Sequence, residues 1–525
     1  MNQKISRRTF LGTTATAAAA FTVIPSHVMG SALGHKQAPS DKLNIAIVGI
    51  GGQGNSNLRA VKPTENIVAL CDVDWRYGKP VFDANPTAKK YWDWRKMYDE
   101  MGKDIDAVIV ATADHTHAAI AANGMALGKH MFVQKPLTHS VYESRLLTKL
   151  AEKYKVATQM GNQGASGEGV NQICEWIWNG EIGEVTKVEC ATNRPVWLQG
   201  LNTPDKVDKI PSTLNWDLFT GPAKLYPYNA LYHPWNWRGW WPYGTGALGD
   251  MACHIMHNAF IALKLQYPIK VEGSSTLLLD HCAPHAQHVK LTYPARDNMP
   301  KVAMPEVEIH WYDGGMMPER PKGFPQGREL MGSGGGLTIF HGTKDTLLCG
   351  CYANGPWLLS GRVPDVPKTV RRLPLAPVTE GVAAPAGGGG MGSAANAAAA
   401  SRGPRTISHE MDWVRACKES PANRVKSKSD FSEAGPFNEM VVMGVLAVRL
   451  QALNKILEWD GQNMKFTNIG ADETIKTVIK DGFTIIDGDP KFDKIWTDPV
   501  NAQQYAAELI KHTYRDGWSL PAMPV

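Results

Sequence analysis

Short apolar runs that close on turn residues alternate with segments of helical period through the first third of the chain. Leu43 to Gly49 is β-branched, apolar and ends on glycine, which predicts a buried parallel strand. A helix is predicted over 55–61, strands over 67–72 and 107–112, a helix over 118–128, a strand over 130–133, a helix over 141–154 and a strand over 157–160. This βαβ rhythm predicts a doubly wound parallel sheet with helices on both faces. Beyond Gly161 the rhythm changes to a helix over 169–179 and strands over 185–193, 271–279, 289–293 and 307–311. Long connections rather than regular helices separate these strands, so a second domain on a large mixed, mostly antiparallel sheet is expected. Helices return over 407–418 and 437–456. The fold class is therefore α/β plus α+β.

Composition refines this picture. Residues 1–35 read as a signal and linker: Ser6-Arg7-Arg8-Thr9-Phe10-Leu11 precedes an Ala-rich run too short and too weakly apolar to span a bilayer. Removing it leaves about 490 residues, enough for two full cores. The first domain is placed at 40–160 and the second at 161–525, the latter interrupted over 376–405 by glycine and alanine runs unable to offset their ordering entropy. Charged residues are 20% of the chain and the net charge is +5, without a Lys/Arg run, so neither nucleic acid nor, after signal removal, a membrane is an expected partner. Eight scattered cysteines exclude a disulfide scaffold. Cys349-Gly-Cys351 lacks a second pair at zinc spacing, so no metal is expected.

The first predicted strand runs into Gly49-Ile50-Gly51-Gly52-Gln53-Gly54, and Asp72 closes the next strand eighteen residues after Gly54. Glycines there permit a tight turn and close approach to a pyrophosphate at a helix N-terminus, while the carboxylate can accept from ribose hydroxyls. An acid at that point repels a 2′-phosphate, which favours NAD over NADP; Asp74 competes for the role and Arg76 stands beside them. Asp250 and His254 lie four apart, a spacing that on a helix puts both on one face, able to converge on one hydroxyl. Between these motifs, Tyr232 to Trp241 holds four tryptophans in seven residues. Aromatic faces suit sugar C–H faces, so Tyr232, His233, Trp237 and Arg238 are candidate substrate contacts.

Gly-x-Gly-x-x-Gly, Cys71-Asp72-Val73-Asp74, Ala113-Asp114-His115-Thr116-His117, Gln134-Lys135-Pro136 and Gly246-Ala-Leu-Gly-Asp250-Met-Ala-Cys-His254 together resemble the glucose-fructose oxidoreductase, inositol dehydrogenase and rhizopine catabolism family, Gfo/Idh/MocA. The resemblance runs on to Glu458-Trp459-Asp460, similar to exported members. It implies that Lys135 stands beside a nicotinamide, that Asp250 holds or orients and His254 takes a hydroxyl proton, and that Gly49, Ile50, Gly51, Gln53, Gly54, Asp72, Thr112, His115, His117, Gln134, Lys135 and Asn162 line the cofactor. Gln134 departs from the family's usual Glu. The implied activity is hydride transfer between a sugar or glycoside carbon and a tightly held NAD, in a protein exported through the twin-arginine pathway to the periplasm and assembled as a homo-oligomer. Two other readings stand beside it: NAD-dependent glycoside hydrolysis through transient oxidation and elimination, and a non-catalytic sugar-binding protein.

Overall fold

The structure, a computed structural model, describes residues 41–297, 299–374 and 406–524. The predicted signal and the insertion over 376–405 lie outside the described residues.

Six strands, β1 Asn44–Val48, β2 Asn66–Cys71, β3 Lys89–Tyr91, β4 Ala107–Val110, β5 His130–Val133 and β6 Thr158–Met160, form one parallel sheet in the order β3-β2-β1-β4-β5-β6. That order reverses direction between β1 and β4, the switch point where doubly wound sheets bind ligands. Ile45, Ala46 and Ile47 are wholly buried, as expected of a strand covered on both faces. β3 was not predicted, since Lys89-Lys90-Tyr91 is a polar edge strand without an apolar run.

The second sheet contains β7 Val185–Thr192, β8 Lys270–Ser275, β9 Gln287–Tyr293, β10 Val307–Tyr312, β11 Gly336–Gly342, β12 Thr346–Gly350, β13 Trp357–Leu358, β14 Leu457–Asp460 and β15 Lys465–Phe466. Its order is β13-β12-β11-β7-β10-β9-β8-β14-β15. Only β7 and β10 pair parallel; the other pairings are antiparallel. The fold class expected from the sequence is thus the observed one.

The division at 160/161 separates the sheets but not the layers. Helix His409–Lys418 returns to the first domain, where Trp413, Val414 and Cys417 pack against Ile45, Ile47 and Phe132 of the first sheet. A parallel sheet needs cover on both faces, and the chain supplies part of it from 250 residues away, donating Trp413 Nε1 to Ala157 O. The last long helix spans Phe431–Arg449 rather than 437–456. It starts on the Asp430 cap and carries Pro436 in its second turn; burial of Phe431 and Ala434 offsets the one backbone bond Pro436 forgoes. Asn438, midway along it, accepts from Leu137 N at 2.9 Å and donates to Thr138, which pins the segment that carries Lys135.

No helix among the described residues is long and apolar enough to cross a membrane. All eight cysteines are buried as free thiols.

Candidate active site

The glycine loop after β1 is a cradle that side chains would fill. Gly49 has φ +83°, and a Cβ there would lie 2.5 Å from Ala111 O; one on Gly54 would lie 1.9 Å from Gly49 O. Helix Gln53–Val61 follows directly, with no side chain capping its first turn, so its leading N–H groups remain available to a phosphate. Asp72 Oδ2 accepts from Ile50 N at 2.8 Å and Oδ1 from Asp74 N at 2.9 Å, so this carboxylate also ties the loop to the end of β2. Asp74 caps helix Trp75–Ala84, and its Oδ2 lies 3.1 Å from His233 Nε2. Two carboxylates at the ribose end of the cradle fit a nucleotide without a 2′-phosphate.

At the same carboxyl edge of the first sheet, just past the end of β5, Lys135 Nζ reaches Asp250 Oδ1 at 2.7 Å and Asp250 O at 3.0 Å. Arg238 Nε reaches the same Oδ1 at 3.2 Å, its guanidinium held between the rings of Trp235 and Trp237, each 4.3 Å away. Burial opposes ionisation of Asp250, yet the charges of Lys135 and Arg238 outweigh it and hold the carboxyl well below its usual range. Both cations use Oδ1, which leaves Oδ2 free to accept from a hydroxyl. One turn along helix Gly246–Ile255, His254 is buried and its ring makes no hydrogen bond among the described residues; Nδ1 is enclosed without a partner there. Burial, then the charge of Lys135, pushes its imidazole down to about 3, so it is held in the proton-accepting form. Lys135 and Asp250, 115 residues apart in sequence, thus meet, and His254 lies one turn from Asp250 on the same helix.

The other candidates divide. Asn162 is wholly buried with both amide atoms unpartnered among the described residues, a group that a bound cofactor or substrate would satisfy. Gln134 Nε2 donates to Asn57 Oδ1 at 2.9 Å, and Asn57 Nδ2 donates to Glu410 Oε1 at 2.9 Å. An amide therefore stands where the family's Glu would face a carbonyl oxygen. Gln134→Glu should destabilise the protein by about 1–3 kcal/mol, read as a lower midpoint in urea. His115 turns away from the cradle to the carbonyls of Tyr243, Phe219 and Thr220, and His117 bridges Pro136 O and Thr112 O. Thr112 accepts from Thr116 Oγ1 at 2.7 Å. Tyr232 is placed in an aromatic cluster with Trp216, Trp240 and Tyr243 rather than at Asp250, and His233 goes to Asp74. Of the four tryptophans only Trp235 is exposed, at 47%; Trp240 and Trp241 belong to the cores. Burial of polarisable rings outweighs sugar stacking for most of this loop. His257, three residues beyond His254, pairs with Glu433 at 3.1 Å.

Three residues of the site escaped sequence reasoning. Asp114 accepts from Thr245 N and Oγ1, fastening the start of the Asp250–His254 helix to the first sheet; burial pushes its carboxyl up to about 7. Tyr352 lies 4.6 Å from His254, centroid to centroid, with φ +62°, and Ala353 follows at φ +57°. Consecutive non-glycine residues in this region cost of order 1–3 kcal/mol each and cluster at functional sites. Arg194 follows β7 nearby. An isolated Tyr or Arg in a loop carries no spacing signal, though the Asp114 position was within a quoted motif.

Buried imidazoles give the molecule a pH dependence. Burial pushes His115, His117 and His130 down to about 4, and His254 and His512 to about 3. Folding then releases protons below the ordinary imidazole pKa of about 6.5, so this contribution to stability is lost as pH falls through that window. Asp114, Glu143 and Asp313, raised to about 7 by burial, act in the opposite sense. The histidines outnumber them, so the melting temperature by calorimetry should fall from pH 6.5 to roughly 4.5; a rise would refute the assignment of neutral histidines.

Residues 43–162 match the oxidoreductase family Gfo/Idh/MocA in its NAD-binding Rossmann fold, and residues 172–297 match the same family's C-terminal alpha/beta domain. The inositol 2-dehydrogenase of Salmonella typhimurium is 29% identical over 147 residues, 27% of this chain and 43% of that protein. The glycosyl hydrolase family 109 protein 1 of Akkermansia muciniphila is 27% identical over 176 residues, 30% of this chain and 35% of that protein. The chain thus spans less than half the length of these curated relatives. The crystal structure of a WlbA dehydrogenase from Chromobacterium violaceum, in complex with NADH and UDP-GlcNAcA, superposes with a TM-score of 0.50 at 14% identity over 81% of this chain and 97% of that one, a likeness of fold. Both domain types of one family, the Gfo/Idh/MocA oxidoreductases, are thus matched in chain order, an NAD-binding Rossmann fold followed by the C-terminal alpha/beta domain.

Proposed function

We propose that this protein oxidises a hydroxyl carbon of a sugar or glycoside, with Lys135, Asp250 and His254 as the catalytic residues. The observation that carries the reading is one carboxylate, Asp250, bridged by Lys135 and Arg238 beside an unpartnered neutral imidazole. When bound, NAD supplies the hydride acceptor. The cradle of Gly49, Gly51 and Gly54 would hold its pyrophosphate, Asp72 its ribose, and Asn162 the carboxamide end. Asp250 Oδ2 accepts from the substrate hydroxyl, and the Lys135 ammonium stabilises the oxygen as its proton leaves. His254 takes that proton; negative charge growing on the oxygen favours the imidazolium and offsets the burial that keeps the ring neutral at rest. Trp235 and Trp237 hold Arg238 over the same oxygen of Asp250 and so fix the carboxylate's orientation.

The test is to release and identify nucleotide from protein prepared without added cofactor, then add glycosides and follow reduced nicotinamide by absorbance. Absence of both nucleotide and NAD affinity would favour the non-catalytic reading.

The relative in glycosyl hydrolase family 109 supports a second reading, net hydrolysis through transient oxidation and elimination. It needs a further base; with Tyr232 in the aromatic cluster and His233 on Asp74, Tyr352 beside His254 is the group in position. A free reducing sugar without accumulating keto-sugar identifies this route.

Ser6-Arg7-Arg8-Thr9-Phe10-Leu11 supports export of the folded holoprotein to the periplasm, which Arg7→Lys with Arg8→Lys should abolish in a cell fractionation. A homo-oligomer is part of the proposal, supported by the ribbon Val478–Ile486 and Asp489–Trp496, where Phe483, Ile485 and Phe492 are exposed at 59%, 67% and 75%. Light scattering reads the state.

A further inference from the structure

Arg194 stands at the end of β7 that meets the catalytic helix. The residue is half-buried, its guanidinium donates to the neutral Asn193 Oδ1, and it has no carboxylate within ion-pair distance among the described residues. A guanidinium without a counter-ion keeps its charge and its paired N–H donors available to an anionic ligand.

Its surroundings lead directly to the reacting groups. Backbone holds the residue in place: Gly314 N donates to Arg194 O at 2.6 Å, and Thr192 Oγ1 and Asn193 N both donate to Gly335 O. Gly334 and Gly335, at φ +75° and +70°, bring the loop hard against this strand end. A Cβ on Gly335 would lie 2.7 Å from Arg194 Nη1, and one on Gly334 3.0 Å from Cys351 Cβ. Tyr352 follows Cys351, and its ring packs on His254. Arg194, Cys351, Tyr352 and His254 are therefore successive neighbours along one wall, and Arg194's charge acts on both the Cys351 thiol and the Tyr352 phenol, groups that also feel Asp250.

The charges around this space do not balance. Lys135 and Arg238 already share Asp250, so the pair of cations exceeds the carboxylate by one, and Arg194 adds another. The other nearby acid, Asp114, bonds Thr245 and feels both Lys135 and Arg238, which leaves Arg194 as the cation without an acid. A neutral sugar would leave Arg194 unpaired.

We propose that the substrate is a sugar bearing an anionic group, a carboxylate or a phosphate ester, and that Arg194 binds this group while the reacting hydroxyl lies at Lys135, Asp250 and His254. This rests on the sugar-oxidising reading above and narrows its substrate class. A planar guanidinium suits both kinds of oxyanion, which it can bind through two parallel N–H donors.

The test measures binding of D-glucuronate, D-glucose 6-phosphate and D-glucose to the NADH-loaded protein by calorimetry, and turnover of the same three with NAD. The wild type should bind at least one anionic sugar about 10- to 100-fold more tightly than glucose. The glucuronate and phosphate arms tell which anion is used. In Arg194→Gln that preference should collapse to near parity, and Arg194→Lys should retain part of it; near-ultraviolet circular dichroism and nucleotide retention verify the fold of each variant. Equal affinity for glucose and both anionic sugars in the wild type, or an unchanged preference in Arg194→Gln, overturns the inference while leaving sugar oxidation standing. Failure of all three sugars to bind or react overturns both.

Discussion

Lys135→Met should lower reduction of bound NAD by its sugar substrate by on the order of 10³-fold, as loss of a preorganised charge at a developing oxyanion does. Two consequences of the geometry combine in that figure. The ammonium that would stabilise the departing proton's oxygen is gone, and Asp250 is left with Arg238 alone, 3.2 Å away. Removing one partner of a buried pair costs about 3–5 kcal/mol where no other cation remains; with Arg238 present the loss of stability should be smaller. Rapid-mixing measurement of nicotinamide fluorescence separates the chemical step from binding, and nucleotide retention checks that the cradle survives. His254→Ala should lower the same step without disturbing the Lys135–Asp250 pair, because the ring bonds neither. Full activity in either variant would remove the assigned roles.

Gly54→Ala should abolish retention of nucleotide. The added methyl would stand 1.9 Å from Gly49 O and 3.0 Å from Gly49 C, backbone atoms that cannot move without reshaping the turn, and Gly49 is itself wedged against Ala111 O. A distortion of roughly 3 kcal/mol corresponds to about a 100-fold loss of affinity. Gly52→Ala is the control: its methyl would meet only Tyr77 Oη, at 3.8 Å. Denaturing release followed by mass spectrometry should find NAD in the wild type and Gly52→Ala, and not in Gly54→Ala. Equal retention in all three would mean that the cofactor does not lie on this loop.

Local pattern was informative where neighbours in sequence are neighbours in space. Strand His130–Val133 and helix Val141–Tyr154 have the predicted bounds, the latter closed by the Ser140–Glu143 capping box that their spacing allows. The spacing of Asp250 and His254 puts both on the face that meets Lys135, because four residues make about one helical turn. Prediction failed where packing overrules propensity: helix Phe431–Arg449 runs through Pro436, and most of the tryptophan-rich loop is core. Nor did the sequence separate Asp72 from Asp74. In the fold Asp72 holds the glycine loop, while Asp74 caps a helix and meets His233.

What the sequence by itself determined is the parallel βαβ sheet, the mixed sheet after it, the glycine loop and the four-residue spacing of Asp250 and His254, all of which depend on periodicity and spacing over a few residues, whereas Lys135 was pointed to only by the family resemblance. Tertiary structure alone decided that Arg238 shares Asp250, that Gln134 bonds Asn57, that helix His409–Lys418 covers the first sheet, and that Tyr352 and Arg194 border the reacting groups. Each of these is an encounter between residues far apart along the chain. Such encounters are selected by burial and charge pairing in the closed fold, which leave no periodic trace in either partner's local sequence.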